Sequence, residues 1–349
     1  LDWGLGHATR CIPLIKELLA CGCEVLIAAE GATQSLLQHE FQQLRFMSVK
    51  GYRIKYSKKK QWLPLKIFTQ IPLILRAIYN EHQWQKKIVK KYSIDAIIAD
   101  NRFGLFNAGI PTVYITHQLL IKTGNSFTEQ ILQKLHFWFI KKYSYCWVPD
   151  FEGKNNIAGK LSHVEKKPSN ISYLGGLSRF EKSDKIEKKN DLLILISGPE
   201  PQRSIFEDLM ITQLKNFSGK TLLIRGLPGI EDGQNLLTNP NLTIKNHLTS
   251  QELNKVIQQS ALVISRSGYT TIMDLIKLRQ KAILVATPGQ TEQEFLAVHL
   301  MQQHIFYATE QQGFNLTASI KAAASFPFSI PDFDMELYRK TVRQFVQSL

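Results

Sequence analysis

Apolar and polar positions along the 349 residues alternate between two rhythms. Ala8 to Ala20 puts Ile12, Ile15 and Leu19 on one face, with Leu14 and Leu18 beside them, the spacing of a helix with one buried face. Short unbroken apolar runs follow at Glu24–Ala29, Asp95–Ala99, Pro111–Thr116 and Tyr145–Val148. Bounded by polar turns, such runs are what parallel strands covered on both faces look like. Residues 66–92 read as a long helical region, whole or broken at Pro72, and 127–143 as an aromatic-rich helix carrying Phe127, Phe137, Trp138 and Phe139. A polar, weakly patterned stretch between about 160 and 190 interrupts this grammar. It then restarts, with strands expected at Leu192–Ser197, Thr221–Ile224, Leu242–Ile244, Leu262–Ser265 and Ala282–Ala286 and helices between them. The last segment, Met335–Leu349, is patterned as an amphipathic helix.

Strand–helix alternation in both halves predicts an α/β protein of two Rossmann-like, doubly wound parallel-sheet domains facing a cleft. The expected division is residues 1–175, residues 176–334, and a C-terminal helix at 335–349 packing back toward the first domain. The chain opens at Leu1 and its first glycine loop at Gly4. That leaves no room for a feeding strand, so one strand of about ten residues is expected upstream.

Charge separates the halves. Residues 1–175 carry 24 Lys and Arg against 12 Asp and Glu, the remainder 19 against 17. Lys50, Arg53, Lys55, Lys58, Lys59, Lys60 and Lys66 are interleaved with Tyr52, Tyr56, Trp62, Leu63 and Leu65, and Lys86, Lys87, Lys90 and Lys91 form a second group. This mixture suits an anionic membrane surface better than nucleic acid, which is not expected as a partner; a solvated lysine-rich surface is the plain alternative. No apolar run is long enough to span a bilayer. Cys11, Cys21, Cys23 and Cys146 lack metal spacing and read as free thiols of a reducing cytoplasm.

The chemistry gathers in glycine turns that open helices, where unpaired N–H groups and the positive helix end favour an anion. Gly4-Leu5-Gly6-His7 is the first and Ser265-Arg266-Ser267-Gly268-Tyr269 the second. Ser197-Gly198-Pro199-Glu200-Pro201-Gln202-Arg203 is a third, with Arg203 as an added charge, and Thr287 to Glu294 is a comparable proline turn. The residues alone leave His7 open between a general base and a capping imidazole. Asp274, six residues past Gly268, is placed to accept from vicinal ribose hydroxyls. Asp100-Asn101-Arg102 and Thr116-His117-Gln118 follow strands directly and are candidates for holding an acceptor, or structural turns.

Ser265 to Asp274, followed by Pro288 to Glu294, resembles the donor-site signature of family-28-type glycosyltransferases of GT-B fold, the family of the peptidoglycan lipid-intermediate N-acetylglucosaminyltransferase. Gly4 to His7 is similar to that family's first glycine loop. The resemblance implies a UDP-sugar donor, with Asp274 on the ribose and the backbone at His247 and Leu248 holding the base. It implies Arg179, Ser197 and Gly198 at the diphosphate, together with Ser267, Gly268 and Tyr269 of the signature loop. Gln293 and Glu294 would meet sugar hydroxyls. Gly4 and Gly6 complete the donor set, His7 or Asp100 would act as the base, and Asn101, Arg102 and His117 would hold the acceptor. The reaction implied is inverting transfer of a hexosyl group, of N-acetylglucosaminyl type, to a hydroxyl of a lipid-linked or cell-envelope saccharide. No cofactor or obligatory metal is expected, and the location is cytoplasmic, peripheral on the inner face of the plasma membrane. The alternatives are a UDP-sugar 2-epimerase of the same architecture and a non-catalytic nucleotide- or membrane-binding subunit. The chain departs from the family pattern at Glu200-Pro201-Gln202-Arg203, where a small glycine-containing run is usual, and at Glu294, where a second glutamine is common.

Overall fold

The computed structural model describes residues 6–52, 63–123, 125–184, 186–227 and 239–349. Gly4 and most of the first basic cluster, from Arg53 to Trp62, lie outside the described residues. The chain divides into two compact units, Leu1–Leu177 with Asp334–Leu349, and Ser178–Phe333.

In the first unit α1 (Gly6–Ala20) is followed by β1 (Leu26–Ala29), α2 (Gly31–Glu40) and β2 (Arg45–Ser48), the two strands pairing in parallel. Next come α3 (Leu63–Tyr92), β3 (Ile97–Asp100), β4 (Thr112–Ile115), α4 (Ser126–Ile140), β5 (Tyr145–Val148) and β6 (Ile171–Tyr173). The last four strands form a parallel sheet in the order β3-β4-β5-β6. Helix α3 runs unbroken through Pro72; a proline removes one ladder bond, which a 30-residue helix tolerates. The α1 periodicity works on two fronts. Ala8, Ile12 and Ile15 pack with Ile27, Ala29, Leu37 and Phe41. Leu14 joins Val113, Trp147, Tyr338, Val342 and Phe345, the last three from the C-terminal helix Leu337–Gln347. Arg343 of that helix donates to Glu17 of α1 at 2.6 Å, so the helix is fixed by charge as well as by burial.

The second unit contains β7 (Asn190–Leu195), α5 (Gln202–Leu214), β8 (Thr221–Ile224), β9 (Leu242–Lys245), α6 (Ser250–Gln258), β10 (Ser260–Ser265), α7 (Tyr269–Lys277), β11 (Ala282–Val285), α8 (Thr291–Gln302), β12 (Tyr307–Thr309) and α9 (Leu316–Ala324). The sheet is wholly parallel, ordered β12-β11-β10-β7-β8-β9. Counted within the unit this is the dinucleotide-fold order 3-2-1-4-5-6. Its direction reverses between β7 and β10, and ligands bind outside the carboxyl ends of the strands at such a point. Central strands are buried along their length, β11 at all four positions. The edge strands β2, β6 and β12 are short and half exposed. Those three were not expected from the sequence, because none of them carries a continuous apolar run.

Candidate active site

At the switch point of the second unit β10 ends on Ser265, and Arg266-Ser267-Gly268 turns the chain into α7. Gly268 caps α7 without a side-chain hydrogen bond. Asp274 lies one and a half turns along and is 6% exposed. Its Oδ1 accepts from the Ser178 hydroxyl at 2.5 Å. Burial pushes its pKa from 3.8 up to about 6, against the pull of Arg179, the Ser178 hydroxyl and a backbone N–H. Arg179 donates to Ser250 Oγ at 3.0 Å, so the 178–180 segment is tied to the starts of both α6 and α7. Thr249 and Glu252 close a reciprocal capping box at the head of α6. Just before it His247 is exposed, and half-buried Leu248 lines an open groove with Leu222, Lys245 and Val256. The structure therefore gathers Arg179, Gly268, Tyr269 and Asp274 around one corner of the sheet.

The other two turns differ from expectation. Ser197 and Gly198 are exposed after β7, Gly198 with φ +110°. The α5 terminus beyond them is already met by the chain's own carboxylate: Glu200 accepts from Ser204 N–H at 3.3 Å and from Arg203 Nε at 2.6 Å. Arg203 is buried and also bonded to Glu207 and to the Arg225 carbonyl. It is an internal ion-pair partner, not an added charge for a ligand, because two carboxylates three residues before and four after it claim the guanidinium. In the 287–294 turn Gln293 Oε1 accepts from Thr287 N–H at 2.9 Å and Glu294 Oε1 from Gly289 N–H at 2.8 Å. Gln293 and Glu294 thus shape their own loop, and Ser267 Oγ donates to the Gln293 carbonyl at 2.8 Å, joining that loop to the head of α7.

Arg266 carries a role that sequence reasoning missed. It is 1% exposed, with its guanidinium 3.9 Å from the centre of the Phe206 ring. It donates to the carbonyls of Val285, Ala286 and Gln202 and to Gln311 Oε1. One side chain so joins the end of β11, the start of α5 and the turn before α9. Burial lowers its pKa to about 10, which leaves it cationic at neutral pH. An arginine between two serines at a strand end is a visible signal, but nothing in the sequence tells whether it faces inward.

In the first unit the carboxyl ends of β3 and β4 meet the first turn of α1. His7 Nδ1 lies 3.1 Å from Asp100 Oδ2. Arg10, one turn along α1 and 3% exposed, donates from Nε to Asp100 Oδ2 at 3.0 Å and from Nη2 to Oδ1. Its Nη1 lies 2.8 Å from His117 Nδ1 and its Nη2 2.9 Å from His7 Nδ1. Cys11 Sγ points at the same carboxylate from 3.7 Å. Burial would raise the pKa of Asp100, yet Arg10 and then His7 hold it well below the usual carboxylate range. Burial also takes His7 from 6.5 down to about 4, Asp100 opposing and Arg10 adding to the fall. His7, Asp100 and His117 are thus one cluster, and Arg10 is its centre.

Asn101 and Arg102 are turned to support. Asn101, at φ +53°, accepts from the Tyr114 hydroxyl at 2.6 Å. Arg102 is 7% exposed, paired with Glu81 of α3 and donating to the Lys50 carbonyl at 2.6 Å. Tyr52 OH and Gly104 N–H also donate to Glu81 Oε2, at 2.5 and 2.8 Å. The acceptor role expected for Arg102 is corrected accordingly: a buried cation facing a buried carboxylate stays with it, since separating them leaves an unpaired charge.

Known proteins of similar sequence and fold are glycosyltransferases. Residues 213–327 match the glycosyltransferase family 28 C-terminal domain. An uncharacterized glycosyltransferase of Methanosarcina acetivorans is 24% identical, covering 83% of this chain and 79% of the relative. The UDP-N-acetylglucosamine–N-acetylmuramyl-(pentapeptide) pyrophosphoryl-undecaprenol N-acetylglucosamine transferase of Clostridium tetani is also 24% identical, covering 80% of this chain and 74% of that one. Among solved structures, MurG of Acinetobacter baumannii superposes with a TM-score of 0.52 at 16% identity, over 97% of this chain and 91% of that one. The kitacinnamycin glycosyltransferase superposes with a TM-score of 0.62 at 13% identity, over 99% and 93%. Two parallel-sheet units of GT-B fold, with the family-model match and these relatives, make the chain a glycosyltransferase. Within that class residues 213–327 carry the family-28 C-terminal domain, and the chain resembles MurG.

Proposed function

We propose that this chain transfers an N-acetylglucosaminyl-type hexose from a UDP-sugar, with inversion, to a hydroxyl of a lipid-linked or cell-envelope saccharide. The observation that carries the reading is the corner at Asp274. A carboxylate is buried behind a glycine turn whose helix has no side-chain cap, under the pull of Arg179, at the switch point of a dinucleotide-type sheet. Vicinal ribose hydroxyls are the natural donors to such a group, and a 2′-hydroxyl contact disfavours a deoxyribose donor. In the reaction the acceptor oxygen attacks the anomeric carbon as the bond to the diphosphate breaks. His7, neutral at physiological pH, takes the acceptor proton. Arg179 and the head of α7 meet the charge growing on the leaving diphosphate. No obligatory metal enters this scheme, so activity should survive EDTA.

A lipid-linked acceptor also accounts for the outer face of the first unit. Phe127, Ile131, Leu135 and Trp138 form an exposed stripe along α4, flanked by Lys134, Lys141 and Lys142. Leu73, Leu75 and Tyr79 are exposed on α3 around Arg76. Apolar side chains ringed by cations suit an anionic leaflet, and among the described residues no helix is long and apolar enough to cross one. On this reading the enzyme is cytoplasmic and peripheral on the membrane.

The test is a thermal-shift panel of UDP, GDP, dTDP and their sugars. Stabilisation by UDP that disappears in Asp274→Ala supports the reading, and equal response to all nucleotides removes it. Vesicles of anionic and of neutral lipid settle the membrane face: Trp138→Ser with Phe127→Ser should lose cosedimentation with the anionic set.

A further inference from the structure

The His7–Asp100 pair differs from a simple imidazole–carboxylate pair in one respect: its carboxylate is already neutralised. Arg10 covers both oxygens of Asp100 and, with the remaining edge of the same planar fork, reaches the two histidines. A guanidinium has only donors and is never deprotonated in this range. Where its N–H points at an imidazole nitrogen, that nitrogen accepts unless a carboxylate faces the same nitrogen. For His117, whose Nδ1 lies 2.8 Å from Arg10 Nη1, the proton is therefore on Nε2. For His7 the same Nδ1 faces both Asp100 Oδ2 and Arg10 Nη2, and the carboxylate, the stronger acceptor, takes the Nδ1 proton. His7 is left with a lone pair on Nε2.

We infer that Arg10 is a positioning residue that fixes two histidines in opposite tautomers, His7 as a proton acceptor at Nε2 and His117 as a hydrogen-bond donor at Nε2. The inference rests on the proposed role of His7 in acceptor activation. One imidazole takes the proton of the attacking hydroxyl, while the other donates to an oxygen that must not ionise. Without Arg10 the two rings would be free to share the Asp100 carboxylate, and each would sample both tautomers. Burial explains why the device is an arginine. His7 and Asp100 keep only 14% and 11% of their side-chain surface, so water cannot substitute for the missing donors. A lysine offers one point charge in place of a fork that spans three partners.

Nitrogen-15 spectra of the full chain at pH 7.5 read the tautomers directly, with His7→Gln and His117→Gln supplying the assignments. The wild type should show His7 protonated at Nδ1 and His117 at Nε2. Arg10→Lys should average the His117 signal between tautomers and lower kcat by roughly 100-fold, with less than about threefold change in acceptor KM and UDP affinity unchanged. Should Arg10→Lys not fold, the double variant Arg10→Met with Asp100→Asn removes both buried charges together and should show the same averaging. Matching tautomers in the wild type, or a variant with averaged tautomers and wild-type kcat, overturns the inference. Failure of the underlying reading looks different: His7→Gln would then keep full turnover while the wild-type tautomer pattern stood.

Discussion

Replacing Asp274 with asparagine separates what the residue does for the fold from what it does for the ligand. In the folded chain the carboxyl group titrates at about 6, against 3.8 when exposed, and burial is the cause. Each pH unit of that displacement is worth about 1.4 kcal/mol, so the ionised form costs the folded state roughly 3 kcal/mol. The sign follows from proton binding. Between pH 4 and 6 the unfolded chain has released the proton and the folded chain still holds it. Stability therefore falls as pH rises through this window, and the whole penalty is present above it. Asparagine has the same shape, can still accept from Ser178, and carries no charge. The second unit of Asp274→Asn should match the wild type at pH 4 and exceed it by up to about 3 kcal/mol at pH 8. Binding should move the other way. Ribose hydroxyls donate more strongly to a carboxylate than to an amide oxygen, and the amide nitrogen cannot accept, so UDP affinity should drop about 10- to 100-fold. Wild-type affinity should rise with pH through 6, and that of the variant should stay flat. All five tryptophans lie in residues 1–177, so fluorescence does not report on the second unit. Hydrogen exchange of the β10 and α7 amides does, and calorimetry gives the UDP constant. A variant less stable than wild type at pH 8, or one binding UDP within a factor of about two, would refute the reasoning.

Other residues give simpler tests. Asp150 is fully buried and accepts from the N–H groups of Phe151, Ile157 and Ala158 and from Ser162 Oγ. Asp150→Ala strands three buried donors, and urea denaturation followed by the fluorescence of buried Trp147 should show a loss of about 3–5 kcal/mol. A Cβ on Gly104 would lie 2.5 Å from the Ile78 carbonyl and 2.6 Å from Glu81 Oε2. Gly104→Ala should thus force α3 away from its loop at a cost of about 1–3 kcal/mol in the same assay. Arg266→Lys keeps a charge but cannot hold four acceptors on three elements; UDP affinity should fall about tenfold as the loops loosen, with exchange rising first at Ala286 and Gln202.

The central strands and the signature loop were legible because their causes are local. Leu192–Ile194 and Ala282–Val285 are apolar without interruption, and nothing but a doubly covered strand uses such a run. Gly268 and Asp274 are spaced within one helix, so their relation needs no tertiary information. What the sequence withheld depends on contacts made across the chain. Arg102 follows a strand in the same way as Asp100 does, yet Glu81, 21 residues upstream, decides that it is an internal partner. Arg203 reads as a ligand-facing cation until Glu200 and Glu207 are seen to close on it. Arg10 and His117 are 107 positions apart, and only the topology of β3 and β4 brings them to one carboxylate. Charged side chains are thus the weak point of motif reading: the motif fixes where the backbone goes, and distant partners fix whether the charge remains available.

Two buried aspartates, one in each unit, show that distinction at work. Asp100 and Asp274 both follow the carboxyl edge of a parallel sheet and both lose their water on folding. Asp100 is given a guanidinium on both oxygens, stays ionised at any working pH, and so serves as a fixed electrostatic anchor whose lone pairs are committed to Arg10 and His7. Such a carboxylate is too weak a base to take a proton from a hydroxyl, which leaves that task to the imidazole. Asp274 receives the Ser178 hydroxyl and the pull of Arg179 instead, and burial outweighs both, raising its pKa to about 6. Hydrogen-bond donors of a ligand favour its charged form, so on the proposed reading ionisation couples to nucleotide binding. An arginine placed beside Asp274 as Arg10 is beside Asp100 would stabilise the empty protein and take away the incentive to bind. On the proposed reading, this difference, Arg10 over both Asp100 oxygens against the Ser178 hydroxyl on Asp274, is what makes one corner an anchor and the other a binding site.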